Sequence, residues 1–186
     1  QQLYWQMQNI DKARIRGLEF SGRLNVHNAV SAIPEGWKLF GSLGYAKSRL
    51  SGDNSLLSTQ PLKAIVGIDY ESPSDKWGVF SRLTYLGAKK AKDAQYTVYK
   101  KEGGRWNGPL TKYVKDYSWL NKSAFVFDMY GFYKPSKNLT LRAGVYNVFN
   151  RKYTTWDSLR GLYSYSTTNS VDDEGKGLDR YRAPGR

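Results

Sequence analysis

The 186 residues hold 29 Lys and Arg against 16 Asp and Glu, a formal net charge of +13, with 15 Tyr, 6 Trp, 18 Gly, one His and no Cys. Without Cys, and with a single His, neither a disulfide framework nor a thiol- or imidazole-based hydrolytic or zinc site can be assembled. No stretch approaches the about 18 consecutive apolar residues that a membrane-spanning helix requires, and the surplus of cations asks for an acidic partner: nucleic acid, anionic lipid or lipopolysaccharide, or a carboxylate-bearing ligand.

Abundant Tyr, Trp and Gly suit pleated strands and turns, and the chain alternates with a period of two almost throughout. Gln1 to Trp5 has neither the basic start nor the apolar run of a signal peptide, so a non-exported chain or an internal piece is expected. The first strand spans 13–27, with Leu18, Phe20, Leu24 and Val26 on one face and Glu19, Ser21, Arg23 and Asn25 on the other. The second, 37–50, sets Leu39, Leu43 and Tyr45 against Lys38, Ser42 and Gly44. The third, 62–72, sets Leu62, Ala64, Val66, Ile68 and Tyr70 against Lys63, Gly67, Asp69 and Glu71. In the fourth, 77–88, Val79, Leu83 and Tyr85 oppose Arg82 and Thr84. In the fifth, 122–134, Phe125, Phe127, Met129 and Tyr133 oppose Asp128 and Tyr130. In the sixth, 139–150, Leu139, Leu141, Ala143 and Val145 oppose Thr140, Arg142 and Gly144. No helical period competes.

Strands of roughly ten residues or more exceed the usual five or six of soluble sheets and match the length that crosses a bilayer at a tilt. Tight turns at 72–76 and 135–138 and a slightly longer one at 27–36 alternate with long links at 51–61, 89–121 and 151–184. Short connections on one side and long on the other are the pattern of a transmembrane β-barrel, and Trp37, Tyr45, Tyr70, Trp77, Tyr85 and Tyr133 fall near strand ends, where interfacial girdles sit. The charges Glu19, Arg23, Arg82, Asp128 and Arg142 would then face the lumen; in the dry core of a soluble β-sandwich such charges at strand centres are costly. A soluble nucleic-acid-binding β-domain would place aromatics beside cations on one face, whereas here the apolar face is nearly free of charge.

Four segments, in order, resemble TonB-dependent outer-membrane receptors. Ala13-Arg14-Ile15-Arg16-Gly17-Leu18-Glu19 is similar to the start of one of their late strands, and Phe127-Asp128-Met129-Tyr130-Gly131-Phe132-Tyr133 to a strand with a lumen-facing Asp. Val145-Tyr146-Asn147-Val148-Phe149-Asn150-Arg151-Lys152-Tyr153 resembles a segment near the family's C-terminus, and Tyr181 to Arg186 the "P-G-R" approach to the last strand. Within the family, 153–161 and 166–171 are similar to haemoglobin and haem receptors of the neisserial kind. The resemblance implies an all-β fold: a transmembrane antiparallel β-barrel of the plugged, 22-stranded type, of which 1–186 would be six strands in the C-terminal part. The plug, the TonB-contacting box and the last strand would lie outside these residues. It further implies a non-enzymatic uptake receptor in the outer membrane of a Gram-negative bacterium. Such a receptor binds haemoglobin or haem outside, imports haem as cargo rather than as a covalent cofactor, is driven by the TonB complex, and sits among outer-membrane lipid and lipopolysaccharide. A ferric siderophore, transferrin iron or a passive pore are the alternatives, because fold does not settle ligand.

No catalytic or metal constellation is expected. His27 lies in a short turn without companions, Tyr181-Arg182-Ala183-Pro184 is only a degenerate copy of a haem-receptor "FRAP" box, and Asp172-Asp173-Glu174 lacks EF-hand spacing. The loop 89–121 is the first binding candidate: Tyr96, Tyr99, Tyr113, Tyr117, Trp106 and Trp119 stand among Lys100, Lys101 and Arg105. Tyr and Trp offer large contact area at small entropic cost, and cations pair with carboxylates, including haem propionates. Neutralising lipopolysaccharide phosphate is the competing role for the same cations. The loop 151–184, with Trp156, Arg160, Tyr163 and Tyr165, is the second candidate.

Overall fold

A computed structural model describes residues 12–50, 55–101, 109–162, 171–172 and 174–185. Its frame is a six-stranded antiparallel sheet built from β1 (Ala13–Asn25), β2 (Trp37–Leu50), β3 (Lys63–Glu71), β4 (Trp77–Leu86), β7 (Ala124–Ser136) and β8 (Leu139–Val145), in the spatial order β1-β2-β3-β4-β7-β8. Each strand of this sheet pairs with its predecessor in it, and the sheet is open, with β1 and β8 at its edges. Between β4 and β7 a separate hairpin is inserted, β5 (Gln95–Lys101) against β6 (Leu110–Asp116).

The expected alternation sets the register. Leu18 faces Tyr45, Leu39 faces Ile68, Val66 faces Leu83 and Leu83 faces Phe127, so apolar side chains stack from strand to strand on one face. Nothing in the described structure covers that face: Leu18, Phe20, Val66, Ile68, Phe125 and Leu141 are each more than half exposed. An apolar sheet face of this size is tolerable against lipid and a liability in water.

Aromatic rows bound the apolar band. At the short-turn end Trp37, Tyr70 and Trp77 run in contact, with ring centroids 5.0 Å apart at each step, and Tyr133 stands opposite Trp77. At the other end Tyr85 meets Phe125 at 4.9 Å, with Tyr45 two strands away. Trp37 to Tyr45, Trp77 to Tyr85 and Phe125 to Tyr133 are each eight positions apart. Eight positions span about 27 Å along a strand and, once tilted, close to the roughly 25 Å apolar height of a membrane barrel.

The opposite face carries the charges as expected, and also rings that the charge pattern hides. Arg82 makes a two-pronged ion pair with Asp69, of which Nη2–Oδ2 is 3.0 Å, and Asp69 is fully buried. Lys38 pairs with Glu71. Phe80 stacks on Tyr130 at 5.1 Å and packs near Phe132 at 6.1 Å, and Phe40 lies 4.8 Å under the Arg82 guanidinium.

The structure departs from expectation at several strand ends and in one loop. β4 stops at Leu86, and β7 starts at Ala124 and runs on through Pro135 to Ser136, so the turn expected at 135–138 shrinks to 137–138. β1 stops at Asn25 because Val26–Ala29 forms a single helical turn, α1, closed by the Val30 amide on the Val26 carbonyl at 2.8 Å. β8 stops at Val145, since Asn147 takes a left-handed φ of 50° and turns the chain. The segment 89–121 is not irregular: Tyr96, Val98 and Lys100 alternate with Thr97, Tyr99 and Lys101, and β6 answers in register.

Two open edges and an uncovered apolar face make the chain unsuited to water on its own. Expressed alone in detergent-free buffer it is expected to associate and to lack a cooperative unfolding transition. A monomer in sedimentation with a sharp thermal transition contradicts this.

Candidate binding site in the long loops

The long connections meet beyond the Tyr85–Phe125 end of the sheet, on a junction made of backbone groups and two polar side chains, Asn121 and Lys89. The Gly87 amide donates to the Leu62 carbonyl at 2.7 Å, and Asn121 spans the gap, its Nδ2 donating to the Gly87 carbonyl and its Oδ1 accepting from the Lys89 amide. Lys89 is buried and donates from Nζ to the Thr59 carbonyl at 2.7 Å while lying 5.1 Å over the Trp156 ring. Burial holds its ammonium below the usual lysine pKa, against a smaller upward pull from Asp93.

Above the junction sits a small aromatic core. Tyr117 and Trp156 are buried, edge-on to each other at 5.5 Å, with Leu57, Tyr96, Trp119 and Leu120 packed around them and Ala94. Each ring spends its polar atom on a loop carbonyl: Trp156 Nε1 donates to Leu57 at 2.6 Å, and Tyr117 Oη donates to Leu159 and Leu162 at 3.2 and 2.8 Å. Trp156 opens a four-residue helix, α2 (Trp156–Leu159), capped by the Thr155 hydroxyl, which accepts from the Ser158 amide. Leu159, Leu162 and Val171 form a second cluster, joined to the first through Trp119.

The expected binding residues therefore separate by position. Tyr117 and Trp156 lie inside the loop core and Tyr96 and Trp119 against it, so these four hold the loops together and present little surface. Tyr99 and Tyr113 are nearly half exposed on the hairpin, and the Lys100 ammonium sits 5.9 Å over the Tyr113 ring. Lys101 ends β5 half-buried. Arg160 is partly exposed and paired with Asp157 at 2.9 Å. Arg105, Trp106, Tyr163 and Tyr165 lie outside the described residues.

The expected lumen-facing residues also divide. Arg82 turns from Asp128, its register partner, to Asp69. Asp128 instead accepts from the Asn147 amide at 2.7 Å. Asn147 in turn holds Arg151 through both side-chain atoms, so the motif at 145–153 is a device for turning the chain. Glu19 and Arg23 on β1 and Arg142 on β8 remain exposed on the charged face. His27 Nδ1 contacts the Ile33 carbonyl at 2.7 Å within its turn. The degenerate box at 181–184 is tied down by the Thr154–Arg182 bridge and by the Arg182–Asp179 ion pair. Asp172 caps its own turn through the Glu174 and Lys176 amides, and among the described residues no His, Cys, Asp and Glu cluster could hold a metal.

The profile of the family "TonB dependent receptor-like, beta-barrel" matches residues 1–148. The chain belongs to the TonB-dependent receptors. Among curated proteins it is 36% identical over 184 residues to the hemoglobin and hemoglobin-haptoglobin-binding protein A of Haemophilus influenzae, covering 98% of this chain and 16% of that protein. It is 36% identical over 199 residues to the hemoglobin and hemoglobin-haptoglobin-binding protein of Haemophilus ducreyi, covering 99% and 20%. The chain thus spans about a fifth of the length of these relatives. Among solved structures, the copper transporter OprC superposes on 96% of the chain with a TM-score of 0.63 at 24% identity, covering 23% of OprC, which shows the shared barrel fold.

In the receptor, Trp156→Ala is expected to cost about 3 kcal/mol of local stability. It should raise hydrogen exchange in 89–121 while exchange in the strands stays unchanged; equal protection in mutant and wild type contradicts the anchoring role. Because the Lys89 pKa is lower in the folded loops than in the unfolded chain, the unfolded state binds the extra proton between that lowered value and about 10.5, so loop stability rises with pH through this window. The denaturant midpoint of the Trp fluorescence change should climb accordingly below pH 10, and Lys89→Met should flatten the slope.

Proposed function

We propose that this chain supplies wall strands and ligand-gripping loops to an outer-membrane receptor of a Gram-negative bacterium, which binds haemoglobin at the cell surface and takes up its haem. The reading is supported above all by the hairpin β5–β6, which projects Tyr99, Tyr113 and Lys100 from a fixed base on the long-loop side of the sheet. The chain's 36% identity to haemoglobin-binding proteins adds the ligand class. Aromatic rings beside a cation suit a protein surface and its haem carboxylates alike.

The activity is transport, not catalysis. Haem is cargo, and no cofactor is held covalently. Energy comes from the inner-membrane TonB complex acting on a plug outside these residues. The girdles at the two ends of the apolar band set the depth of the sheet in the bilayer, and lysines beyond the Tyr85–Phe125 row meet lipopolysaccharide phosphate. Nucleic acid has no place in this arrangement.

The test is Tyr99→Ser with Tyr113→Ser in the whole receptor. Both residues are exposed, so the loop core stays intact, and haemoglobin binding to cells should weaken about tenfold or more, the scale of lost interface hot spots. Unchanged binding at equal surface level moves the site to other loops.

A further inference from the structure

Beyond the aromatic row at the long-loop end, β1 and β2 stay paired for several more rungs, and their outward face changes character. Within the apolar band that face carries Leu18, Phe20, Leu39 and Tyr45. The next outward positions are Arg16 and Arg14 on β1 and Lys47 and Arg49 on β2. The register sets Arg16 opposite Lys47 and Arg14 opposite Arg49, and all four are exposed. The residue between the two cations of β2 turns the other way. The Ser48 hydroxyl accepts from Thr59 Oγ1 at 2.6 Å on the side of the loop junction, where Thr59 also meets Lys89. The ladder therefore fixes the four cations on the face that touches lipid, unlike the lysines of the loops.

Like charges directly opposite one another destabilise a sheet. Here two such rungs follow each other on one face, about 7 Å apart along the strands. No Asp or Glu occupies an outward position of β1 or β2, and none of the four cations forms an ion pair among the described residues. The patch needs a countercharge from outside. Its depth says which kind. Tyr45 belongs to the girdle at that end, so Lys47 stands about 7 Å further along the strand, where the polar headgroups of a bilayer begin. Three of the four are Arg, whose paired N–H groups suit phosphate oxygens. A free anion would gain nothing from the apolar surface of Leu18 and Phe20 directly below, whereas a phosphorylated lipid meets both.

We propose that Arg14, Arg16, Lys47 and Arg49 form a binding site for the headgroup phosphates of an outer-leaflet lipid of the lipopolysaccharide type, whose acyl chains lie over Leu18, Phe20 and Leu39. The idea rests on the outer-membrane placement in the reading above and not on the ligand given there. Bound lipid relieves the repulsion between the two rungs and so stabilises the β1–β2 pair at its upper end.

The test uses the complete receptor in an uncharged detergent. It is titrated with lipopolysaccharide, with the same lipid stripped of its phosphates, with inorganic pyrophosphate and with polyglutamate, and binding is read from the rise in melting midpoint. The variants are Arg14→Gln with Arg16→Gln, Lys47→Gln with Arg49→Gln, and a charge-keeping triple of Arg14→Lys, Arg16→Lys and Arg49→Lys. The wild type should respond to intact lipopolysaccharide well above the other three probes. Each Gln pair should bind it about thirtyfold more weakly, the scale of two cations at an anionic membrane surface, and the Lys triple should keep most of the affinity. Should a Gln pair not fold, Arg49→Gln alone should still cost about fivefold. Wild-type affinity in the Gln variants overturns the proposal. So does an equal response to the stripped lipid, which makes the contact apolar only, to pyrophosphate, which makes the patch a general anion sink, or to polyglutamate, which makes it a protein-docking face. Haemoglobin binding by the same preparations should be unchanged in every variant; its absence from the wild type defeats the uptake reading and leaves the lipid titrations to decide this site.

Discussion

The constraint on which this structure depends is that a strand has only two faces. In hydrocarbon every backbone amide and carbonyl must be satisfied by a neighbouring strand, and once that ladder is made, side chains are committed alternately to lipid or to the interior. A slip of one residue would send Arg82 and Asp69 into lipid and Leu83 and Ile68 inward, so register is set by the whole band at once. The equal eight-position spacing between aromatic rows on three strands follows from the same commitment. All three cross the same apolar thickness.

The interior face solves a different problem. A buried charge at mid-strand is affordable only with a partner, because an unpaired buried carboxylate would be desolvated without return. Asp69 is fully buried and takes both prongs of Arg82; Asp128, left without that arginine, takes a backbone amide instead. The bare backbone at Gly67 is what lets Arg82 reach sideways to β3. One ion pair, one glycine and one turn motif are thus linked, and the chain's return after β8 depends on which acid Arg82 chose.

Much of this was legible in the sequence. Six strands, their order and both faces follow from alternation, as does the asymmetry of turns and loops. Three features were not. The hairpin β5–β6 alternates over only seven residues per strand, with Tyr and Lys on both sides, so it lacks the apolar-against-polar contrast that marks a half-buried strand. Phe40, Phe80 and Phe132 share a face with Arg82 by parity, but apolar residues on a charged face break the apolar-against-polar contrast that marks the two faces in sequence. Composition also could not separate the loop aromatics into anchors and presented rings. Tyr96 and Tyr99 look alike in sequence, and only the fold turns one towards Tyr117 and the other towards solvent.

That last division has a physical basis in how loops stay ordered. Loops 89–121 and 151–184 hold no Phe, while six of the chain's seven lie in strands and the other, Phe149, in the turn after β8. A strand satisfies its own backbone through the ladder, so a strand aromatic needs only surface. A loop has carbonyls without ladder partners, and a buried one must find a donor. Tyr117 and Trp156 supply apolar bulk and a donor from the same side chain, which Phe cannot do. The loops are therefore built from the residue types that also grip ligands best. Loops assembled this way can change their exposed rings, Tyr99 and Tyr113 among them, while the buried rings Tyr117 and Trp156 keep the loops folded.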